Sequence, residues 1–291
     1  MIKIAASPVK TKVTWPLRLM DWAGWALLYV VLIFGAVIMA FPFYWMLTTA
    51  FKGLSESVAI PPTMWPTTWI WTNFVDAWHA APFPRYFLNT VIMAVGATLG
   101  SLITGVLAAY AFARMRFFGK DIIFMMFLAT MMIPFEVTLI PDFLIIRTLR
   151  WYNTYTALIV PWTASVFSIF LLRQFFMSLP KELYEATILD GGTHFQFLYR
   201  VAMPLAIPAL ITVSIFSFLG SWTSLLWPLI VTSSPHLRPI QVGLSAFQGE
   251  AGSYYNLLMA GATLAILPIV ILFLMAQKQF VEGIARSGIK G

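Results

Sequence analysis

Residues 23–50 read AGWALLYVVLIFGAVIMAFPFYWMLTTA, a run without one Asp, Glu, Lys or Arg. A helix that crosses the hydrocarbon core of a bilayer needs about 20 mostly apolar residues, so this run spans with margin. It follows Lys3, Lys10, Lys12 and Arg18, as the apolar part of a secretory signal follows a basic start. It is too long for that role and closes on no small-residue cleavage site. We read it as an uncleaved first membrane helix.

Working outward, five further stretches have the same character. The six lie near 22–50, 86–113, 121–146, 154–177, 205–232 and 255–280. The expectation is an all-α membrane protein with six transmembrane helices in a single domain, 1–291. Composition agrees. The chain is 60% hydrophobic and 10% charged, with a mean hydropathy of +0.84. Soluble domains are about a quarter charged, so a chain of this size has too few charges to clothe a water-facing surface.

With six spans both termini share one side. Thirteen of the eighteen lysines and arginines fall on the side of the N-terminus. Lys52, Arg85, Arg147, Arg150 and Arg238 are the other five. Basic residues accumulate on cytoplasmic loops, which predicts both termini inside. The same bias accounts for the net charge of +7 without a nucleic-acid partner. Tryptophans 65, 69, 71 and 78 fall in the first outside loop and Trp22 and Trp25 at the inner start of the first span, where interfacial aromatics belong. The prolines of loop 51–85 predict an ordered, non-helical connection. Gly96 and Gly100 form a small-xxx-small pair of the kind that brings helix backbones together in lipid.

Catalytic chemistry finds little to use. With no cysteine, disulfides, iron–sulfur clusters and zinc–thiolate sites are excluded. His79, His194 and His236 are far apart in sequence and form no pair at metal-ligand spacing. No Walker A loop is present: in the nearest approach, Gly283 to Lys290, Ile289 stands where the lysine belongs. Nothing in the spans resembles a nucleophile elbow or paired carboxylates, which argues against a membrane-embedded enzyme. Glu136 is the acidic residue read as lying well inside a span, near the outer end of the third. Such residues are candidates for a solute pathway, with snorkelling or a structural hydrogen bond as the plainer role. A secondary transporter would use several such groups for ion coupling.

The inside loop 178–204 carries the strongest local signal. Pro180 suits a helix start, Gly191-Gly192 a helix end, and Thr193 with Gln196 a capping box opening a second short helix. Pro204 then separates that helix from the next span. The product is a helix–turn–helix that offers the carboxylates of Glu185 and Asp190 beside the small Ala186.

This loop resembles the Glu-Ala-Ala ("EAA") loop of the membrane-spanning permeases of ATP-binding-cassette importers. Glu185, Ala186, Asp190, Gly191 and Pro204 stand at matching positions. Thr187 replaces the second alanine, and Gly192 stands where alanine is frequent. Ser221-Trp-Thr-Ser-Leu-Leu-Trp-Pro228, Asn73-Phe74, Phe87–Thr90 and the stretch from Ala260 to the C-terminus resemble the carbohydrate-uptake branch, in particular its shorter, maltose-type second permease.

The resemblance implies an uptake subunit for a sugar or oligosaccharide in the bacterial inner membrane. Glycerol phosphate and charged oligosaccharides are the alternatives. The implied partners are a second permease, two ATPase subunits that bind the ATP and magnesium, and a periplasmic or lipid-anchored solute-binding protein. This chain itself would hold no cofactor or metal. The EAA loop would dock on the ATPase, with Glu185 facing an arginine there. By the same resemblance the tail 287–291 would reach between the ATPases, and loop 233–254 would reach into the binding protein.

Overall fold

In the computed structural model the described residues are 15–245, 247–249 and 252–288. The basic residues Lys3, Lys10 and Lys12 and the last three residues of the predicted tail lie outside them. Fifteen helices make up almost all the regular structure among the described residues. In chain order they are α1 (Trp15–Ala50), α2 (Leu54–Ser57), α3 (Thr72–Ala80), α4 (Phe83–Arg114), α5 (Lys120–Thr130), α6 (Phe135–Thr148), α7 (Tyr155–Ile159), α8 (Val166–Ser178), α9 (Lys181–Leu189), α10 (His194–Phe197), α11 (Met203–Leu205), α12 (Ile207–Trp222), α13 (Leu226–Val231), α14 (Ile240–Ser245) and α15 (Tyr255–Gly288). A two-residue antiparallel ladder, β1 (Gln248–Gly249) with β2 (Gly252–Ser253), lies between the last two.

Among the described residues, four segments are long and apolar enough to cross a membrane: Gly24–Ala50, Phe83–Arg114, Tyr155–Ser178 and Tyr255–Met275. Two bent pairs raise the number to six if each pair is one span. The third predicted run, 121–146, is not one helix. It breaks between α5 and α6 with a 101° bend. Pro134 explains the break, because a residue before proline is pushed out of the α region and proline cannot continue the hydrogen-bond ladder. The second bend, 79°, separates residues 194–205 from α12.

The predicted run 154–177 is interrupted too. α7 passes through a 3-10 turn (Val160–Trp162) to α8, whose start is capped by the Ser165 hydroxyl accepting the Ser168 N–H at 3.3 Å. The first outside loop, expected to be non-helical, holds the short α2 and the nine-residue α3.

α4 is the central post, with α8 and α12 packed on it and α1 against α15. Gly96 and Gly100 let the chain after α7 approach closely. A Cβ on Gly100 would stand 2.3 Å from the Thr163 methyl, and one on Gly96 3.0 Å from Ile159. The glycine pair therefore serves packing within this chain.

Buried asparagines tie one end of the bundle together. The Asn73 amide donates to the carbonyls of Ala50 and Lys52, both at 2.8 Å, and its oxygen accepts from Asn256. The Asn89 amide donates to the carbonyls of His236 and Arg238, and its oxygen accepts the Tyr155 hydroxyl at 2.6 Å. The two tryptophans of the 221–228 motif are buried and donate to backbone carbonyls, Trp222 to Ala265 and Trp227 to Ala157. In apolar surroundings an unpaired polar group is costly, so these pairings fix which helices meet.

Candidate functional site

The loop 178–206 is built from its own residues upward. Pro180 takes an extended conformation at the N-cap of α9, and Glu182 in the first turn complements the helix dipole. The helix closes on a Schellman motif. The Gly192 N–H bonds to the Thr187 carbonyl at 2.8 Å and the Gly191 N–H to the Ile188 carbonyl at 2.9 Å. Gly191 sits at φ +78°, the left-handed conformation that a helix C′ position takes and that glycine adopts without strain.

Thr193 then starts α10 with a complete capping box. Its hydroxyl accepts the Gln196 N–H, and the Gln196 side chain accepts the Thr193 N–H at 2.8 Å. The sequence placed both helix ends correctly because each signal is local.

The end of the loop differs from expectation. The chain does not break at Pro204. It runs from α10 through a π-helical turn, Leu198–Ala202, into α11, and turns between Leu205 and Ile207. The wider turn sits where the ladder must pass a residue without an N–H, and π turns of this kind accommodate such irregularities. Pro208 then occupies the first turn of α12, where a missing N–H is tolerated.

Tertiary contacts fix the hairpin to the bundle. Phe197 and Leu198 are buried in one core with Tyr110, Phe112, Leu172, Phe176 and Val213. His194 lies between two hydroxyls: Tyr110 approaches its Nδ1 and Tyr184 its Nε2, each at 3.0 Å. Tyr184 also stacks on the imidazole with ring centroids 5.0 Å apart. Arg114 Nε donates to the Phe176 carbonyl and Arg173 Nε to the Phe112 carbonyl, so each arginine caps the end of the neighbouring long helix. Sequence reading found no partner for His194, because Tyr110 and Tyr184 come from different elements.

The outward face of the hairpin is open. Glu185, Ala186, Asp190 and Gly191 are exposed, and so is Pro204. Leu189 is 88% exposed and Phe195 65%. Glu185 borders a cleft of about 700 Å³ lined also by Arg114, Arg116, Lys120, Lys181 and His194. No ion pair of Glu185 occurs among the described residues; the Arg173–Asp121 pair at 4.0 Å is elsewhere.

Glu136 is far from this site in the chain. It stands exposed in the first turn of α6, just past the 101° bend. Asp142, partly buried on the same helix, is a second carboxylate within the predicted run, so Glu136 is not the lone acid there. No group of three or more His, Cys, Asp or Glu suited to a metal occurs among the described residues.

The fold defines an all-helical membrane protein that carries a helix–turn–helix anchored on one side and open on the other. The chain belongs to the family described as "Binding-protein-dependent transport system inner membrane component", which matches residues 101–286.

Three relatives support that membership. YurM of Bacillus subtilis, a probable ABC transporter permease protein, is 36% identical over 269 residues, covering 92% of this chain and 88% of its own. UgpE of Yersinia pestis, an sn-glycerol-3-phosphate transport system permease, is 32% identical over 89% of this chain and 95% of its own. AraQ of Halalkalibacterium halodurans, an arabinooligosaccharides transport system permease, is 33% identical over 89% and 94%. The crystal structure of a bacterial ABC transporter that imports the acidic polysaccharide alginate contains a chain of the same fold. Its TM-score is 0.79 at 22% identity, covering 92% of this chain and 99% of that one.

Proposed function

We propose that this chain is one of two membrane-spanning subunits of a bacterial inner-membrane importer for a sugar or oligosaccharide. In this reading each bent pair counts as one span, giving six, with both termini and the hairpin 178–206 in the cytoplasm. Two separate ATPase subunits bind ATP and magnesium and dock on the hairpin. A second permease completes the pathway, and an external binding protein delivers the solute.

One observation carries the reading. The hairpin is anchored to the bundle by the buried Phe197 and Leu198 and by the hydrogen bond between His194 and Tyr110, while its outer side offers Glu185, Leu189 and Phe195 to solvent. Exposed apolar side chains rimmed by charge mark a protein-binding surface. An anchored hairpin also passes a partner's movement directly to α4 and α8. Among the relatives, one is named for arabinooligosaccharides and one for glycerol phosphate, which supports a polyhydroxylated solute.

The test is co-purification. The chain is tagged, expressed in its native host, purified in mild detergent and analysed by mass spectrometry beside Glu185→Arg. An ATPase subunit and a second permease are expected with the wild-type chain. Reversing a charge that is desolvated at an interface costs about 2–5 kcal/mol, enough to release the ATPase from the variant. A wild-type chain that purifies with no ATPase overturns the proposal.

A further inference from the structure

A second feature lies away from the hairpin. Between α4, α8 and α12 is a cleft of about 480 Å³, within the range of roughly 300–1,000 Å³ typical of small-molecule sites. Five serines line it: Ser165, Ser168, Ser217, Ser221 and Ser224.

Ser217 and Ser221 of α12 fall at i and i+4, which places them along one helical face, and Ser224 follows just past the end of that helix. Their neighbours show how a hydroxyl is normally satisfied in an apolar helix, by bonding back to a carbonyl four residues earlier. Thr212 bonds to Pro208, Ser214 to Leu210 and Thr223 to Leu219, at 2.7–2.9 Å. The hydroxyls of Ser217, Ser221 and Ser224 make no such bond and have no hydrogen-bond partner among the described residues. Unpaired hydroxyls in hydrocarbon are disfavoured, and polar groups in membrane helices face a protein interior or a wet cavity. This face is therefore turned toward water, a polar ligand or a neighbouring protein surface rather than lipid.

The opposite wall is fixed. Ser168 is buried and shares a hydrogen bond with Ser101 at 2.9 Å. The Ser165 oxygen accepts the Ser168 N–H, which leaves its own O–H to donate. Trp162, Phe167 and Phe216 add aromatic surface. Phe167 and Phe216 meet edge-to-face at 5.5 Å, and Trp162 is held against Trp227. No Asp, Glu, Lys or Arg lines the cleft. Phosphate and carboxylate ligands are characteristically met by arginine or lysine, whereas a neutral sugar ring offers hydroxyls to serines and an apolar C–H face to aromatic rings.

We infer that this cleft is the chain's own solute-contacting wall and that it takes neutral, polyhydroxylated rings in preference to phosphate- or carboxylate-bearing solutes. The inference rests on the importer reading above, and it adds the site and the charge class of the solute.

The chain has no native cysteine, so Ser217→Cys and Ser221→Cys each introduce a near-isosteric reporter. Leu144→Cys, on an exposed position of α6 outside the cleft, is the control. The complex is purified with its co-purifying subunits, placed in lipid nanodiscs, and labelled with a water-soluble methanethiosulfonate. Mass spectrometry of this chain's peptides gives the rates.

Both cleft cysteines are expected to label roughly tenfold or more faster than the control, because only a wetted thiol ionises to the reactive thiolate. Maltotriose and arabinotriose in large excess are expected to slow labelling about tenfold by occupancy. sn-Glycerol 3-phosphate and trigalacturonate are expected to leave it unchanged. Labelling no faster than the control overturns the inference, since the cleft is then filled by a packed helix or lipid. Protection by the anionic probes, or by no probe, overturns it as well. The importer reading is scored separately in the same sample. Cysteines that stay unlabelled beside a co-purified ATPase sink only the cleft assignment. A missing ATPase sinks the importer reading.

Discussion

Gly192 and Thr187 close the first helix of the hairpin on each other. The Gly192 N–H bonds to the Thr187 carbonyl at 2.8 Å, and a Cβ on residue 192 would stand 2.6 Å from the Thr187 methyl and 2.7 Å from its carbonyl oxygen. These are the two positions at which the loop departs from the usual alanines, and they are in contact. The threonine methyl fills the space that the glycine leaves.

Gly192→Ala is therefore expected to disrupt the turn, because the clash includes backbone and not only a movable side chain. Gly191→Ala acts differently: it has space but must hold φ +78°, at roughly 1–2 kcal/mol. Both variants should show faster amide hydrogen exchange over residues 181–197 with the membrane helices unchanged. Thr187→Ala in the Gly192→Ala background relieves the methyl contact but not the carbonyl contact, so only partial recovery of protection is expected.

His194→Phe keeps an aromatic ring between Tyr110 and Tyr184 but removes both hydrogen bonds. A typical intramolecular hydrogen bond contributes about 0.5–1.5 kcal/mol net. The expected outcome is a hairpin that still binds its partner but is loosened from α4. Hydrogen exchange should rise at residues 194–202, and ATP hydrolysis by the purified complex should become less responsive to solute. Unchanged exchange would show that Phe197 and Leu198 alone hold the hairpin.

Gly100→Ala tests the close approach of α4 to the chain at Thr163. Overpacking a well-filled contact costs about 1–3 kcal/mol. The thermal midpoint in detergent should fall, and Thr163→Ala in the same chain should recover only part of the loss, since it removes the Thr163 methyl but keeps the Cβ that lies 2.6 Å from the added one.

Glu56 in the loop after α1 gives a pH dependence. Its burial opposes ionisation, but the Thr67 N–H and the hydroxyls of Thr67 and Thr63 bond to the carboxylate, and the net effect holds its pKa below the ordinary 4.5. A carboxylate with a lowered folded pKa contributes stability above its unfolded value, and that contribution is lost as pH falls through the folded value. Tryptophan fluorescence from Trp65 and Trp69 should report loop loosening below about pH 4.5. Glu56→Gln should already be loosened at neutral pH and should lose this acid transition.

The apolar runs, the bias of basic residues and the two ends of α9 and α10 were all readable from the chain alone. Each rests on neighbours within a few positions: a proline, a glycine pair, a threonine three residues before a glutamine. The sequence by itself therefore determined that the chain lives in a membrane and carries a helix–turn–helix at 178–204. The tertiary structure decided the rest. Pro134 within the run 121–146 marks a kink or a break without setting its angle, so the 101° bend and the position of Glu136 beside it were decided by the fold. The bend beyond Pro204 depends on a π turn that the proline alone does not dictate. The contacts of Asn73 with Asn256, of His194 with Tyr110, and of Ser101 with Ser168 join residues far apart in the chain. In lipid every helix is about equally apolar outside, so which faces meet is settled by these few polar and small residues once the helices have packed.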